Sequence, residues 1–363
     1  MVIMVHGVGF VNKGAELMLH SILKKVDENL SNVIFVMKPT KTETPNKLND
    51  LNIRPIYNQN FFQRKNIITN KQVDIILDAS GFAYTDKLGT SYTKKMASFL
   101  AKNTHIGLIM LPQAFGPFTS LDIKKAFSFI ATRAKLIYAR DKESYNYLTE
   151  LVEQKNNIRK ASDFTNLTDG IFDSKYASKK DGICIIPNNQ MVAKTDTKTG
   201  ELYLPFLKKI LKECLLQNEK PFILIHGSGK DVQLAEKITS GFSKIDIIIE
   251  ENPLVAKGLI GNSKVLISSR YHGIINGLSQ GVPTFGTGWS HKYKEVFNDY
   301  NFNEGLLPLS YTDKEIKNLV GYFKDTFKLK NLQKLLIEGS LIQKKLTENM
   351  WDEVFAVLKG MKG

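Results

Sequence analysis

Only two cysteines, Cys184 and Cys214, occur among the 363 residues, and both lie in segments that read as buried. A disulfide framework and a cysteine-rich zinc site are thereby excluded, and a reducing, cytoplasmic setting is expected. No H-x-x-x-H or Asp-rich pattern is present, so no metal centre is expected. No apolar run reaches the roughly eighteen residues of a membrane span. The opening MVIMVHGVGF is apolar, yet it lacks a basic leading region and a cleavage site, and it reads as a first strand rather than a signal peptide. Two glycine motifs fail on spacing. Gly7 and Gly9 are followed by Asn12 and Gly14, which misses G-x-G-x-x-G, and GSGKD at 227–231 misses the P-loop pattern. There is no solenoid repeat and no low-complexity segment. Acidic residues are in short supply, with 36 Asp and Glu against 50 Lys and Arg, a net charge of +14. The lysines are scattered and no basic arm, zinc finger or RNA-binding aromatic motif is present, so nucleic acid is the weaker reading of that excess. It fits anionic substrates or peripheral contact with an anionic membrane surface, and a lysine- and asparagine-rich proteome would give the same excess with no functional meaning.

Apolar residues make up 42% and charged residues 24%, a globular profile long enough for two domains. Short apolar strands alternate with helical periods. VIMV, NVIFVM, VDIILD, THIGLIMLP and AKLIYA are strands of a first set, and GICII, PFILI, DIIIE, KVLIS and GVPTF are strands of a second. Residues 39–72 read as a polar connection, and 171–181 as the linker. The chain is helical after about residue 312. The expected fold is α/β, with two Rossmann-like domains facing across a cleft in a GT-B-like architecture. Residues 1–175 would form the N-terminal domain, residues 176–330 the C-terminal domain, and 331–363 a helical segment packing back on the N-terminal domain.

The stretch 264–294 organises this reading. After Val265–Ile267, Arg270 and His272 fall two residues apart, where an extended backbone points both side chains the same way. A helix starting near Gly273 would add unpaired N–H groups. The next strand ends near His291 and Lys292. A guanidinium, an imidazole and an ammonium at strand carboxyl ends suit a small polyanion.

This stretch resembles the polysaccharide pyruvyl transferase family: Ser-x-Arg-x-His, a short helix, Gly-x-Pro, and a Lys some twenty residues after the His. Tyr271 stands where the family usually has Leu or Phe. The resemblance runs over roughly residues 1–300. Asn12-Lys13-Gly14-Ala15-Glu16 is similar to the family's N-terminal motif, although the same residues also make a plain helix cap. The strand ending in Asp78 and Ser80, the loop Pro112-Gln113-x-x-Gly116-Pro117, Ala139-Arg140-Asp141-x-x-Ser144, and the segment with Asp163 follow in family order. So do His226 and Asp231 after a later strand.

The resemblance implies transfer of pyruvate from phosphoenolpyruvate to two hydroxyls of a sugar, forming a ketal on a cell-surface glycan or its lipid-linked precursor. Phosphoenolpyruvate is a co-substrate here, and no cofactor is implied. Arg140, Arg270, His272 and Lys292 would bind the donor. His272 would be the general acid, assisted by Arg270, because histidine titrates near neutrality. Asn12, Asp78, Ser80, Gln113, His226 and Asp231 would line the acceptor side or the cleft. The alternative within the same architecture is a glycosyltransferase using a nucleotide-sugar donor, for which no base-stacking and ribose-binding element is found. A non-catalytic basic binding protein would explain the charge and leave the ordered motifs without a purpose.

Overall fold

The computed structural model describes residues 1–39, 44–56, 68–86, 89–153, 155–227, 229–243 and 245–361. The chain divides into two compact units. Unit 1 is Met1–Phe10, Met18–Phe164 and Leu346–Gly363, and unit 2 is Val11–Leu17 and Thr165–Lys345.

In chain order the first elements are β1 (Val2–His6), α1 (Lys13–Asn29), β2 (Ile34–Met37), α2 (Thr44–Asp50), β3 (Arg54–Pro55) and β4 (Ile75–Asp78). Then come α3 (Ser91–Lys102), β5 (Gly107–Gln113), α4 (Leu121–Arg133), β6 (Leu136–Ala139), α5 (Lys142–Leu151) and β7 (Ile158–Lys160). Their strands form one parallel sheet ordered β3-β2-β1-β4-β5-β6-β7. Every residue of β4, β5 and β6 is buried, which requires helices on both faces and explains their unbroken apolar runs. Within the expected connection 39–72, α2 and β3 are formed, while residues 40–43 and 57–67 lie outside the described residues.

Unit 2 comprises β8 (Ile183–Ile186), α6 (Gln190–Ala193), α7 (Thr197–Leu216), β9 (Pro221–Ile225), α8 (Gly229–Thr239), β10 (Ile247–Ile249) and α9 (Pro253–Gly261). It continues with β11 (Val265–Ser268), α10 (Tyr271–Leu278), β12 (Thr284–Gly286), α11 (His291–Asp299), α12 (Asp313–Lys324) and the start of α13 (Thr326–Gly360). The sheet is parallel, ordered β10-β9-β8-β11-β12. Helix starts are marked by short polar side chains. Asp141 and Asp196 accept from Ser144 N and Thr199 N, and Thr312 with Glu315 forms a capping box on α12.

The units part at Phe164/Thr165, not near residue 175, and the physical reason lies in segment 165–172. Lys257, 1% exposed, donates to Thr165 O at 2.8 Å, and Ile171 N donates to Leu254 O at 2.9 Å. Gly170 lies against the backbone of Gly258, where a methyl would come within 2.7 Å of Gly258 Cα. The expected linker 171–181 is likewise built into unit 2. It carries a 3-10 helix, Ser174–Lys179, and Tyr176 OH donates to Glu250 at 2.8 Å. Of the tail 331–363, residues 331–345 belong to unit 2, where Ser340 Oγ donates to Ser279 O at 2.8 Å. Residues 346–363 belong to unit 1, where Trp351 meets Phe164 edge-on and Glu353 accepts from Tyr138 OH at 2.7 Å.

Candidate active site

In unit 2 the chain leaves β11 through Ser269 and Arg270 and turns at once into α10. Ser268 Oγ accepts from Arg270 N at 3.1 Å and donates to Arg270 O at 3.0 Å, so one hydroxyl holds the turn. Gly273 packs on that hydroxyl, and a side chain there would push it away. Ser269 is the hub of a buried network. Tyr203 OH donates to its Oγ at 2.7 Å, Thr287 Oγ1 lies 2.8 Å away, and its carbonyl accepts from Asn188 Nδ2 at 2.8 Å and Tyr293 OH at 3.2 Å. Burial holds the Tyr203 phenol well above its ordinary range, so it remains a donor. The network ties together the ends of β8, β11 and β12, and it fixes the root from which Arg270 and His272 project.

The Arg270 guanidinium pairs with Asp231, which is fully buried and accepts from Asn189 N at 2.9 Å through its other oxygen. Gly227 leaves room for this pair, since a methyl there would overlap both groups. Arg270 Nε has no hydrogen-bond partner among the described residues. His226 is 1% exposed, and its pKa is pushed down to about 3, first by burial and then by Arg270, His272 and Lys13. It is therefore a neutral ring at pH 7, not a further cation.

The first turn of α1 completes this cluster. Asn12, expected in the N-terminal domain, belongs to unit 2 because its helix start docks on strand-end residues there. Lys13 N donates to His226 O at 3.3 Å. Asn12 caps the turn, its Oδ1 accepting from Gly14 N at 3.0 Å and its carbonyl from Glu16 N at 3.0 Å. Gly14 lies against the His272 side chain, and a methyl there would come within 2.7 Å of His272 Cβ. Lys13 Nζ is held by Glu16 at 2.7 Å and Glu251 O at 2.6 Å. Asn12, His226, Asp231, Arg270 and His272 are thus gathered in unit 2.

Lys292 stands at the start of α11, with its Nζ 5.2, 5.4 and 5.5 Å from the ring centroids of Trp289, Tyr271 and Tyr293. The three rings hold the ammonium by cation–π attraction. Tyr271 also meets His272 edge-on at 5.5 Å. The tyrosine between Arg270 and His272 therefore spans from the imidazole to the ammonium.

In unit 1, Asp78, Ser80 and Gln113 form a second cluster. Asp78 is fully buried and receives His6 Nδ1 at 2.9 Å, Ser80 Oγ at 2.5 Å, Tyr84 OH at 2.9 Å and Gln113 Nε2 at 3.2 Å. Tyr92 OH lies 2.5 Å from Ser80 Oγ and 3.3 Å from His6 Nδ1. Burial, reinforced by the Asp78 charge, raises both phenols, so Tyr84 and Tyr92 stay protonated. Arg140 is 3% exposed and engaged by Asp163 at 3.1 Å and by Gly81 O at 3.4 Å. Sequence reasoning passed over His6. The signal was available, because β1 and β4 are neighbours in a Rossmann-like order and end in His6 and Asp78, which are paired in register.

Among the described residues no three His, Cys, Asp or Glu side chains are gathered to hold a metal ion, and no helix is long and apolar enough to cross a membrane. The sequence profile described as polysaccharide pyruvyl transferase matches residues 12–291. No curated protein matches the sequence. Solved structures of similar fold include the S. aureus MnaA–UDP co-structure, at 11% identity and TM-score 0.62 over 99% of this chain and 96% of that one. A putative UDP-N-acetylglucosamine 2-epimerase from Listeria monocytogenes follows, at 11% identity and TM-score 0.61 over 99% and 97%. A glycosyltransferase from Rickettsia africae has 13% identity and TM-score 0.56 over 99% and 98%. The fold is of the GT-B type.

Proposed function

Because the chain belongs to the polysaccharide pyruvyl transferase family, we propose that it moves the pyruvyl group of phosphoenolpyruvate onto two hydroxyls of a sugar as a ketal. The observation that supports this most is the strand-end cation set of unit 2. Arg270 and His272 follow β11, and Lys292 follows its neighbour β12. Phosphoenolpyruvate carries a phosphate and a carboxylate on three carbons, so it needs several positive groups in a small volume. Arg270 and Lys292 take its two anionic groups. His272 delivers a proton to the methylene carbon, which leaves an oxocarbenium-like centre for a sugar hydroxyl to attack. Phosphate departs and the second hydroxyl closes the ring. Arg140 was expected among the donor ligands. Its near-complete burial against Asp163 and its contact with Gly81 O support a role in positioning the Gly81 loop instead. The charge of +14 suits a lipid-linked acceptor at an anionic cytoplasmic membrane face.

The direct test supplies phosphoenolpyruvate with a panel of lipid- or nucleotide-linked sugars, following inorganic phosphate and the mass of the acceptor. Phosphate release coupled to an acceptor gain of one pyruvic acid less one water is expected. The competing donor is a UDP-sugar, since the S. aureus structure of similar fold holds UDP. Transfer of a hexose from UDP-sugars, with no phosphate release from phosphoenolpyruvate, would replace the reading.

Gly14→Ala provides a second check, because the added methyl must displace the His272 ring. A misplacement of about 1 Å can cost about 10²-fold in rate. Turnover is expected to fall by that order, with the unfolding midpoint little changed. Wild-type turnover in Gly14→Ala would show that the contact with α1 does not set the position of His272.

A further inference from the structure

We infer that His6, oriented by Asp78, is the general base that takes the proton from the acceptor sugar's hydroxyl, in a subsite built wholly within unit 1. This rests on the reading of the protein as a transferase to sugar hydroxyls.

Three observations carry it. The first is place. In the order β3-β2-β1-β4-β5-β6-β7 the chain winds outward from β1 to β3 and then resumes at β4 on the other side, so β1 and β4 flank the switch point of the sheet. Ligands of open parallel sheets sit beyond the strand carboxyl ends at that point. His6 and Asp78 are the last residues of those two strands.

The second is the hydrogen-bond direction. Asp78 is reached by Ser80, Tyr84 and Gln113 as well as by His6, and a carboxylate with such neighbours acts as an acceptor. The imidazole proton is therefore on Nδ1, 2.9 Å from Asp78 Oδ1, which leaves the lone pair on Nε2. The chain Tyr92 OH to Ser80 Oγ to Asp78, with links of 2.5 Å each, locks the carboxylate in that orientation. Gln113 is fully buried, and its Oε1 has no hydrogen-bond partner among the described residues.

The third is the space beside the ring. His6 is 28% exposed at its side chain and lines a cavity of about 200 Å³ with Lys38, Tyr92, Lys95, Met96 and Phe99. That is below the roughly 300–1,000 Å³ of drug-sized ligand sites, which suits one sugar residue rather than an oligosaccharide. Tyr92 and Phe99 are the aromatic residues of the lining, and Lys38 Nζ stands over the Phe99 ring at 4.3 Å from its centroid. A histidine that served only to close the end of the sheet would need no cavity.

The proton balance is closed. Nε2 accepts the hydroxyl proton as the oxygen's electron pair forms the bond to C2 of phosphoenolpyruvate, while C3 gains a proton from the acid. The C2–O bond to phosphate then breaks, with its electron pair leaving on phosphate, and the second hydroxyl bonds to C2 and loses its proton. Two protons leave the sugar. Overall, one is matched by the new methyl group and one by the released hydrogen phosphate.

The test compares wild type, His6→Gln and His6→Ala, with unfolding midpoints and phosphoenolpyruvate affinity as checks on the fold. Turnover is expected to fall roughly 10²–10⁴-fold in both variants with donor affinity unchanged. Added imidazole should restore part of the rate in His6→Ala alone. Wild-type turnover in a folded His6→Gln, or a loss that imidazole does not rescue and that resides in acceptor KM, overturns the base role. If the wild type moves no pyruvyl group to any sugar, it is the functional reading that fails, and the same three proteins are assayed with UDP-sugar donors. A rate loss in His6→Gln there sustains the base, and equal rates remove it.

Discussion

His272→Ala is expected to lower pyruvyl transfer by roughly 10²–10⁴-fold, the usual contribution of a positioned general acid. The residue is partly exposed, on the first turn of a helix whose core face is carried by Tyr271, Ile274, Ile275 and Leu278. Truncation should therefore leave unit 2 folded, and the unfolding midpoint should barely move. His272→Gln is the sharper variant, because an amide fills the space beneath Gly14 without supplying a proton. It should be nearly as slow as His272→Ala. Arg270→Ala should differ in kind. It weakens donor binding about tenfold or more through loss of a charge-assisted contact, and it also leaves buried Asp231 without its guanidinium. Near-normal turnover in both His272 variants would remove His272 as the acid and leave it a binding residue.

The second large effect concerns stability. Arg140→Ala should destabilise unit 1 by about 3–5 kcal/mol, the usual result of removing one partner from a buried ion pair. Arg140 and Asp163 are 3% and 1% exposed at their side chains, so the carboxylate, deprived of its guanidinium, would have little water to turn to. The double variant Arg140→Met, Asp163→Leu should recover much of the loss, since paired hydrophobic replacement is often neutral. Denaturant midpoints at constant slope would measure both. A stability loss under about 1 kcal/mol, combined with weakened phosphoenolpyruvate binding, would return Arg140 to the donor site.

Much of the local structure was legible in the sequence, and the limits have physical causes. Apolar runs marked the buried strands because a parallel sheet covered on both faces needs no alternation. The spacing of Arg270 and His272 marked a strand end turning into a helix. What local pattern could not give was the partner across the fold. Asn12 looks like any helix cap, and its place in unit 2 depends on Lys13 meeting His226, more than two hundred residues on. Arg140 reads as a cation at a sheet edge until Asp163 is found against it. His6 closes an apolar strand and carries no motif, and its meaning comes from Asp78, 72 residues away. The boundary near 175 was misplaced for a related reason. A polar segment looks like a linker until Lys257 and Gly258 are seen holding its start.

The division of α13 between the two units bears on the order in which the protein matures. Met350, Trp351, Val354, Phe355 and Leu358 are all buried, and they belong to a unit whose other residues end at Phe164. On the ribosome, growing at about 5–20 residues per second, some 10–40 s separate the emergence of Phe164 from that of Leu346. For that interval β6, with Tyr138, waits for the helix that will cover it. The first-made unit is thus the last to be finished, and a gene cut between residues 164 and 165 would encode an amino-terminal half with an open flank.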